Sequence, residues 1–549
     1  MAFTNPIITG FYPDPSCIRV GDTFYLANSS FQFFPGIPIH KSKDLVNWEH
    51  IGTFSLVTSS SPLIEETGNA FSRPSQLPLD QATTKINNAA KSEIFTGGIY
   101  APTLRYHERA KTFYIVCTML TGSTTMAPSD DFQPRNFILA TTDIANDKSW
   151  SKPVYFDFHG IDPSLFFMDL EDGSTRVYVQ GSWMHGYNKT PATVIRQAEI
   201  DVSTGALLSP WRDIWAGATE KVPEGPHIYH REDGWFYLLI AEGGTHGRHK
   251  ITMARARDIW GPYEGCERNP MLTAEGSDAV VQCVGHGDLF QDAQGKWWCV
   301  MLGRRQFKEH PGCWPLGRET FMVPVEWEEG EFPVFGRVEV EQRVSRGRQV
   351  GRIKVKERQW RGVELASPLT VYLRTPDLRH YEQQADEILL FPTEMNLGVE
   401  KGTVSFVGQR QTSLDSIARV SLPLDSADTT GPFCGLTVYK DTFRFVALEY
   451  SASDSSLSLQ IQQAEKPLTT LSSVSVEGDM ALQLTITSRL AKYTFECVKT
   501  ASNGQTESVQ LGEVPCSALS GDDFTGTVYA IYAHGDGGPA RFKGFEILD

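Results

Sequence analysis

Short apolar or alternating runs, bounded by Gly, Pro, Asn and Asp, recur along the first 335 residues with no helical period between them. Five segments open the recurrence: Asp14-Pro15-Ser16-Cys17-Ile18, Ala101-Pro102-Thr103-Leu104, Asp162-Pro163-Ser164-Leu165-Phe166, Glu224-Gly225-Pro226-His227-Ile228 and His286-Gly287-Asp288-Leu289-Phe290. Their starts at 14, 101, 162, 224 and 286 leave intervals of 61, 62 and 62 after a first interval of 87. The excess of about 25 falls on the Ser/Thr/Asn-rich stretch 55–94, which reads as a long loop insertion. Each segment is followed by an aromatic β-rich run: Phe24-Tyr25-Leu26, Phe113-Tyr114-Ile115-Val116, Val177-Tyr178-Val179, Phe236-Tyr237-Leu238-Leu239 and Trp297-Trp298-Cys299-Val300. Gly21-Asp22, Asp172-Gly173, Asp233-Gly234 and Gln294-Gly295 stand between as hairpin turns. A third strand follows, as in Phe137-Ile138-Leu139-Ala140 and Ile251-Thr252-Met253-Ala254, and then a turn carrying Trp48, Trp150, Trp211 or Trp260. Four strands at a ~60-residue period predict a five-bladed β-propeller over residues 1–335, since tandem sandwiches need roughly 100 residues per unit.

After Phe335 the pattern stops. Residues 336–366 read as a linker; Arg337 to Arg361 holds nine basic residues against three acids and is expected to be solvated while packing on an acidic neighbour. From about Ser367, alternation such as Gly402-Thr403-Val404-Ser405-Phe406-Val407 predicts a β-sandwich over 367–549 of the concanavalin or jelly-roll kind. The fold class is therefore all-β, a propeller followed by a sandwich.

Charge narrows the partners. Fifty Lys and Arg against 66 Asp and Glu give a net charge of −16, which repels a polyanion, so nucleic acid is not an expected partner. No apolar run approaches the ~18 residues of a membrane helix, and the first twenty residues do not read as a secretory signal. The expected location is intracellular, or extracellular as a mature form. Nine cysteines without a CxxC pair suggest free buried thiols, not a disulfide framework or a zinc site. His227, His230, His246 and His249 come without an HExxH, and no GxSxG, P-loop or GxGxxG is present. Asn28-Ser29-Ser30 and Asn188-Lys189-Thr190 fit the glycosylation pattern but are expected to be unused.

In a propeller the residues that open the innermost strands converge at one mouth of the axial channel. Here those positions hold Asp14, Ala101, Asp162, Glu224 and His286. Any one acid before Pro-Ser is an ordinary turn residue. Three acids recurring in phase with the blades are unfavourable for structure alone, because like charges raise one another's pKa, and they point to a functional site.

The same residues carry a resemblance. Asn5-Pro6-Ile7-Ile8 with Tyr12-Pro13-Asp14-Pro15-Ser16, Gly97-Gly98-Ile99-Tyr100-Ala101-Pro102-Thr103-Leu104, Gly160-Ile161-Asp162-Pro163-Ser164, Glu224-Gly225-Pro226-His227 and Leu316-Gly317-Arg318-Glu319-Thr320 resemble glycoside hydrolase family 43, in its β-xylosidase / α-L-arabinofuranosidase branch. Phe406-Val407-Gly408-Gln409-Arg410-Gln411 and Gly435-Leu436-Thr437-Val438-Tyr439 are similar to the concanavalin-like domain of that branch. The resemblance implies an inverting hydrolase with Asp14 as general base, Glu224 as general acid and Asp162 tuning the acid. It implies Arg318 binding sugar hydroxyls, His286 at the pocket floor, and Phe31 and Tyr100 as aromatic lining. Tyr100 stands where the family often has Trp, which leaves the sugar preference open. Phe524, in Asp522-Asp523-Phe524, is the candidate aromatic sent by the sandwich, with a core position as the alternative. No cofactor is required; a structural calcium or sodium near His286 occurs in some relatives.

The expected activity is exo-acting removal of xylose, and arabinose, from xylo-oligosaccharides or arabinoxylan fragments, with β-D-xylosidase first and α-L-arabinofuranosidase as the alternative primary activity. The expected partner is a small oligosaccharide, with a homo-oligomer open. A non-catalytic carbohydrate-binding protein, a propeller scaffold and an endo-arabinanase are the rivals; the first needs a broken acid set, the second predicts exposed apolar patches at the mouth and no convergent carboxylates, and the third usually lacks the sandwich.

Overall fold

The structure is a computed structural model that describes residues 2–51, 69–71, 76–87, 93–122, 132–185, 191–219, 221–343, 359–424, 431–476 and 480–549. Five antiparallel sheets follow one another along the first 335 residues, each built on four strands in sequence order. The third, for example, runs Gly160–Asp169, Thr175–Met184, Thr193–Glu199 and Arg212–Trp215. This is a five-bladed propeller. Its cohesion follows from strand alternation, which sends successive side chains to opposite faces of a blade. In the strand Phe236–Glu242, Leu238 and Ile240 pack with Tyr178 and Ile195 of the third blade, whereas Tyr237 and Leu239 pack with Leu289, Met301 and Phe321 of the fifth. Each such side chain contributes roughly 1.5–3 kcal/mol when fully buried. The recurrent turn tryptophan has a fifth member not read from the sequence, Trp327, whose Nε1 donates to Glu331 O at 2.9 Å.

The C-terminal region forms two eight-stranded sheets, with Leu436, Leu448, Leu459, Ile531, Leu484, Ile486 and Phe495 in its core. The two units share backbone hydrogen bonding. Phe33–Phe34, inside the first propeller blade, is the edge strand of a sandwich sheet, with Phe34 opposite Tyr372 and Phe33 opposite Leu373.

Three expectations change. The stretch 55–94, read as loop, contains the strand Asn69–Phe71 paired with Gly36–Ser42, and Thr84–Asn87 paired with Glu93–Thr96; residues 52–68, 72–75 and 88–92 lie outside the described residues. The ends of the basic linker are also paired: Glu341–Arg343 with Ala2–Thr4, and Trp360–Gly362 with the last strand, Ala540–Leu548. The strands Asn69–Phe71, Glu341–Arg343 and Trp360–Gly362 are only three residues long, too short to show a period. Cys313 and Cys516 form a disulfide between propeller and sandwich, while seven other cysteines are free and buried. A separation of 203 residues gives no local signal for that pairing. Asn28 is fully buried, donating through Nδ2 to Tyr12 O and Thr320 Oγ1, so folding closes that glycosylation sequence; 188–190 lies outside the described residues. Among the described residues no helix is long and apolar enough to cross a membrane.

Candidate active site

The innermost strands share one backbone device. Asp14, Ala101, Asp162 and His286 adopt φ between +40° and +54°, and Gly225 adopts +56°. The pairing of strands two to five also slips just there. A left-handed non-glycine residue costs roughly 1–3 kcal/mol. Ala101 shows that this conformation belongs to the blade, since it brings no functional group. It also corrects the register: the equivalent of Asp14 in the fourth blade is Gly225, and Glu224 stands one residue earlier. Glycine suits that position, because a Cβ there would approach the His286 ring at 3.1 Å.

The five kinks place Asp14, Asp162, Glu224 and His286 around one mouth. Ser29 donates its hydroxyl to Asp14 Oδ2 at 2.6 Å, and Arg318 Nη1 donates to Asp14 Oδ1 at 3.3 Å. His286 Nδ1 lies 4.0 Å from Asp14 Oδ1 and 3.9 Å from Asp162 Oδ2. The Gly225 N–H donates to Asp162 Oδ2 at 3.2 Å.

The environments divide the three acids. Burial works to raise the pKa of Asp14, but Arg318, His286 and the Ser29 hydroxyl outweigh it and hold the carboxyl below its usual range. Asp162 is raised to about 6, by burial first and then by Asp14, against the pull of His286. Glu224 is raised well above the usual carboxylate range by burial, with the charges of Asp162 and Asp14 adding. Behind Glu224, His249 Nδ1 donates to Cys283 O at 2.9 Å, which leaves Nε2 as an acceptor 4.0 Å from Glu224 Oε1. Burial lowers the pKa of His249 to about 3, so the ring is neutral.

Aromatic rings cluster beside Arg318, with Phe31, Tyr100 and Phe95 buried and Phe524 half-buried. Phe31 and Tyr100 meet at 4.8 Å, Phe524 lies 5.9 Å from Phe31 and nearly parallel to it, and Phe95 meets Phe524 edge-on at 5.3 Å. Arg318 stands over Phe524 at 5.0 Å. The structure thus gathers every candidate named from the sequence and sets Phe524, half-buried, against Phe31 and Arg318. Sequence reasoning missed Ser29, Thr245, His249 in this role, and Phe95. Phe95 comes from the insertion, where no periodicity marks it.

Two residues beyond His286, Asp288 is fully buried among protein donors. Arg105 donates to both oxygens of Asp288 and, through Nη2, pairs with His227 Nδ1 at 2.8 Å; Ser16 and Tyr229 also donate to Asp288. The Arg105 guanidinium thus neutralises the buried Asp288 carboxylate from within the propeller. Among the described residues no group of three His, Cys, Asp or Glu could hold a metal.

The family model for glycosyl hydrolases family 43 matches residues 3–333. The chain belongs to this family. Residues 371–547 match the β-xylosidase C-terminal concanavalin A-like domain. The chain is 30% identical to a non-reducing end α-L-arabinofuranosidase of Bacteroides ovatus, over 99% of this chain and 94% of that one. It is 39% identical to a xylosidase/arabinosidase of Butyrivibrio fibrisolvens over 59% of this chain, a match that spans 55% of that protein. The solved xylan β-1,4-xylosidase of Bacillus halodurans is similar over both whole chains, with a TM-score of 0.80 and 26% identity. This chain is therefore a glycoside hydrolase, with the all-β propeller and sandwich of its family.

Proposed function

We propose that this family 43 hydrolase is an exo-acting, inverting enzyme that removes single pentoses from the non-reducing ends of xylo-oligosaccharides and arabinoxylan fragments. β-D-Xylosidase is its main activity, and α-L-arabinofuranosidase shares the pocket. The observation that carries the reading is the divergence of Asp14 and Glu224. Inversion needs an ionised carboxylate to activate water on one face of the sugar and a protonated acid at the leaving oxygen, about 6.5–9.5 Å apart. Asp14, held low by Arg318, His286 and Ser29, suits the base, and Glu224, held high by burial and two neighbouring acids, suits the acid.

In the reaction Asp14 takes a proton from water as its oxygen attacks the anomeric carbon. Glu224 gives its proton to the departing glycosidic oxygen, and the configuration inverts. Asp162 keeps Glu224 protonated by its charge and is fixed by the Gly225 N–H. Arg318 keeps guanidinium nitrogen for sugar hydroxyls. Phe31, Tyr100, Phe95 and Phe524 form an apolar wall from propeller, insertion and sandwich together, which supports exo action on one terminal sugar. The mixed xylosidase and arabinofuranosidase names of the similar proteins support two activities in one site.

The test is a proton NMR time course with xylobiose and an arabinose-substituted xylo-oligosaccharide, for the intact enzyme and Asp14→Ala. α-Xylose appearing first from xylobiose, with the variant inactive, is the expected result. Release of arabinose alone moves the primary activity to arabinofuranosidase; first appearance of β-xylose refutes inversion.

A further inference from the structure

The sandwich does more at the mouth than lend an aromatic ring. Its loop 520–526 holds the side chain of Arg318 from the other side. The Phe524 carbonyl accepts from Arg318 Nε at 3.2 Å, and Thr245 Oγ1 accepts from Arg318 Nη1 at 2.8 Å. Gly317, just before Arg318, lies so close to the loop that a Cβ would stand 2.5 Å from Thr525 O. The orientation of the guanidinium that faces Asp14 therefore depends on where the loop sits.

The loop is clamped at two neighbouring acids. Asp523 is 4% exposed and pairs with Lys440 Nζ at 3.0 Å and with Arg444, both from sandwich strands. Arg444 also donates to Asp441, so the four buried charges cancel. Asp522 turns the other way and accepts from Arg304 of the propeller at 2.8 Å, while Arg304 and Trp314 donate to Gly521 O at 3.1 and 2.8 Å. One residue thus grips the sandwich, the next grips the propeller, and the third presents its carbonyl to Arg318.

We propose that Asp523, with Asp522 beside it, is a positioning residue for hydrolysis: by clamping loop 520–526 it fixes Arg318, and through Arg318 the protonation and placement of Asp14. This rests on the reading of Asp14 as the general base. Asp14 also faces Ser29, His286, His249, Asp162, Glu224 and the buried Cys117 thiol. Only the Arg318 contact runs through the sandwich, so a change confined to the clamp isolates it.

The test variant is Asp523→Asn combined with Lys440→Met, which removes one buried charge of each sign and leaves Arg444 paired with Asp441. The readouts are kcat/KM against pH on an aryl β-xyloside and on xylobiose, and Tm. Loosening Arg318 should lower kcat/KM roughly ten- to a hundredfold on both substrates alike. It should also move the acidic limb up by about one unit. Phe524→Gly, which keeps the carbonyl and removes the ring, should raise KM without moving the limb. An unmoved acidic limb in the clamp variant overturns the proposal, whatever happens to kcat/KM or Tm. Should the paired variant fail to fold, Asp522→Ser on the half-exposed side of the loop carries the same test, with the same direction expected and the same null refuting. Asp14→Ala is run beside them: an active Asp14→Ala removes the base assignment itself, whereas an inactive one with an unmoved limb in the clamp variants defeats only the positioning role.

Discussion

Ser29→Ala is the most direct probe of how the base is kept ionised. The hydroxyl donates to Asp14 Oδ2 at 2.6 Å and in turn accepts the Ala101 N–H at 2.7 Å, all in a buried setting. A hydrogen bond to a charged group is worth about 1.5–3 kcal/mol, and one pKa unit corresponds to about 1.4 kcal/mol. Arg318 and His286 remain to hold the carboxylate, so the pKa of Asp14 should rise by roughly one unit, at the lower end of that range. The sign follows from the form stabilised: the bond favours the carboxylate, its loss favours the acid, and the base is then protonated at a higher pH. The acidic limb of kcat/KM should move up by about one unit, while the loss on the plateau stays within about threefold. The Ala101 N–H loses its acceptor at the same time, which should destabilise the fold by about 1–3 kcal/mol. The assay is kcat/KM for an aryl β-xyloside from pH 3.5 to 8 in steps of about half a unit, spanning the limb, with Tm measured alongside. A uniform fall at every pH, with the limb in place, refutes the electrostatic role of Ser29 and leaves it a structural bridge between the first two blades.

Glu224→Ala should reduce turnover of xylobiose by roughly 10²–10⁴-fold and that of an aryl xyloside with a good leaving group far less; equal losses on both would remove Glu224 from the acid role. Asp162→Asn takes away one of the charges that hold Glu224 protonated, so the alkaline limb of kcat/KM should move to lower pH; a limb that stays or moves up contradicts the coupling. Phe95→Ala removes an edge-on contact worth about 0.5–1.5 kcal/mol, and the KM for xylobiose should rise about three- to tenfold with kcat little changed. An unaltered KM would separate the insertion from the sugar wall.

Much of the fold was legible because it rests on local pattern. Strand alternation, hairpin turns and a near-constant blade length sit in contiguous sequence, and the acids recur in phase with them. Asp14, Asp162 and His286 could be placed together on that basis. Glu224 was placed one residue out of register, since glycine at 225 hides the kink that only backbone angles reveal. The sharing of a sandwich sheet by Phe33–Phe34, the Cys313–Cys516 bridge and the loop 520–526 clamp were not legible, because each joins segments hundreds of residues apart with no periodic signal in either.

The sequence by itself determined the repeating architecture and the identity of the acids, because strand period, turn chemistry and residue type are local properties. Tertiary structure alone sets the environments that lower the pKa of Asp14 and raise those of Asp162 and Glu224. That division depends on burial, on the 3.3 Å approach of Arg318 to Asp14 and on the charges surrounding Glu224. It also brings a sandwich loop against Arg318. A pKa is set by the field of groups converging from many blades, and no stretch of sequence contains that field.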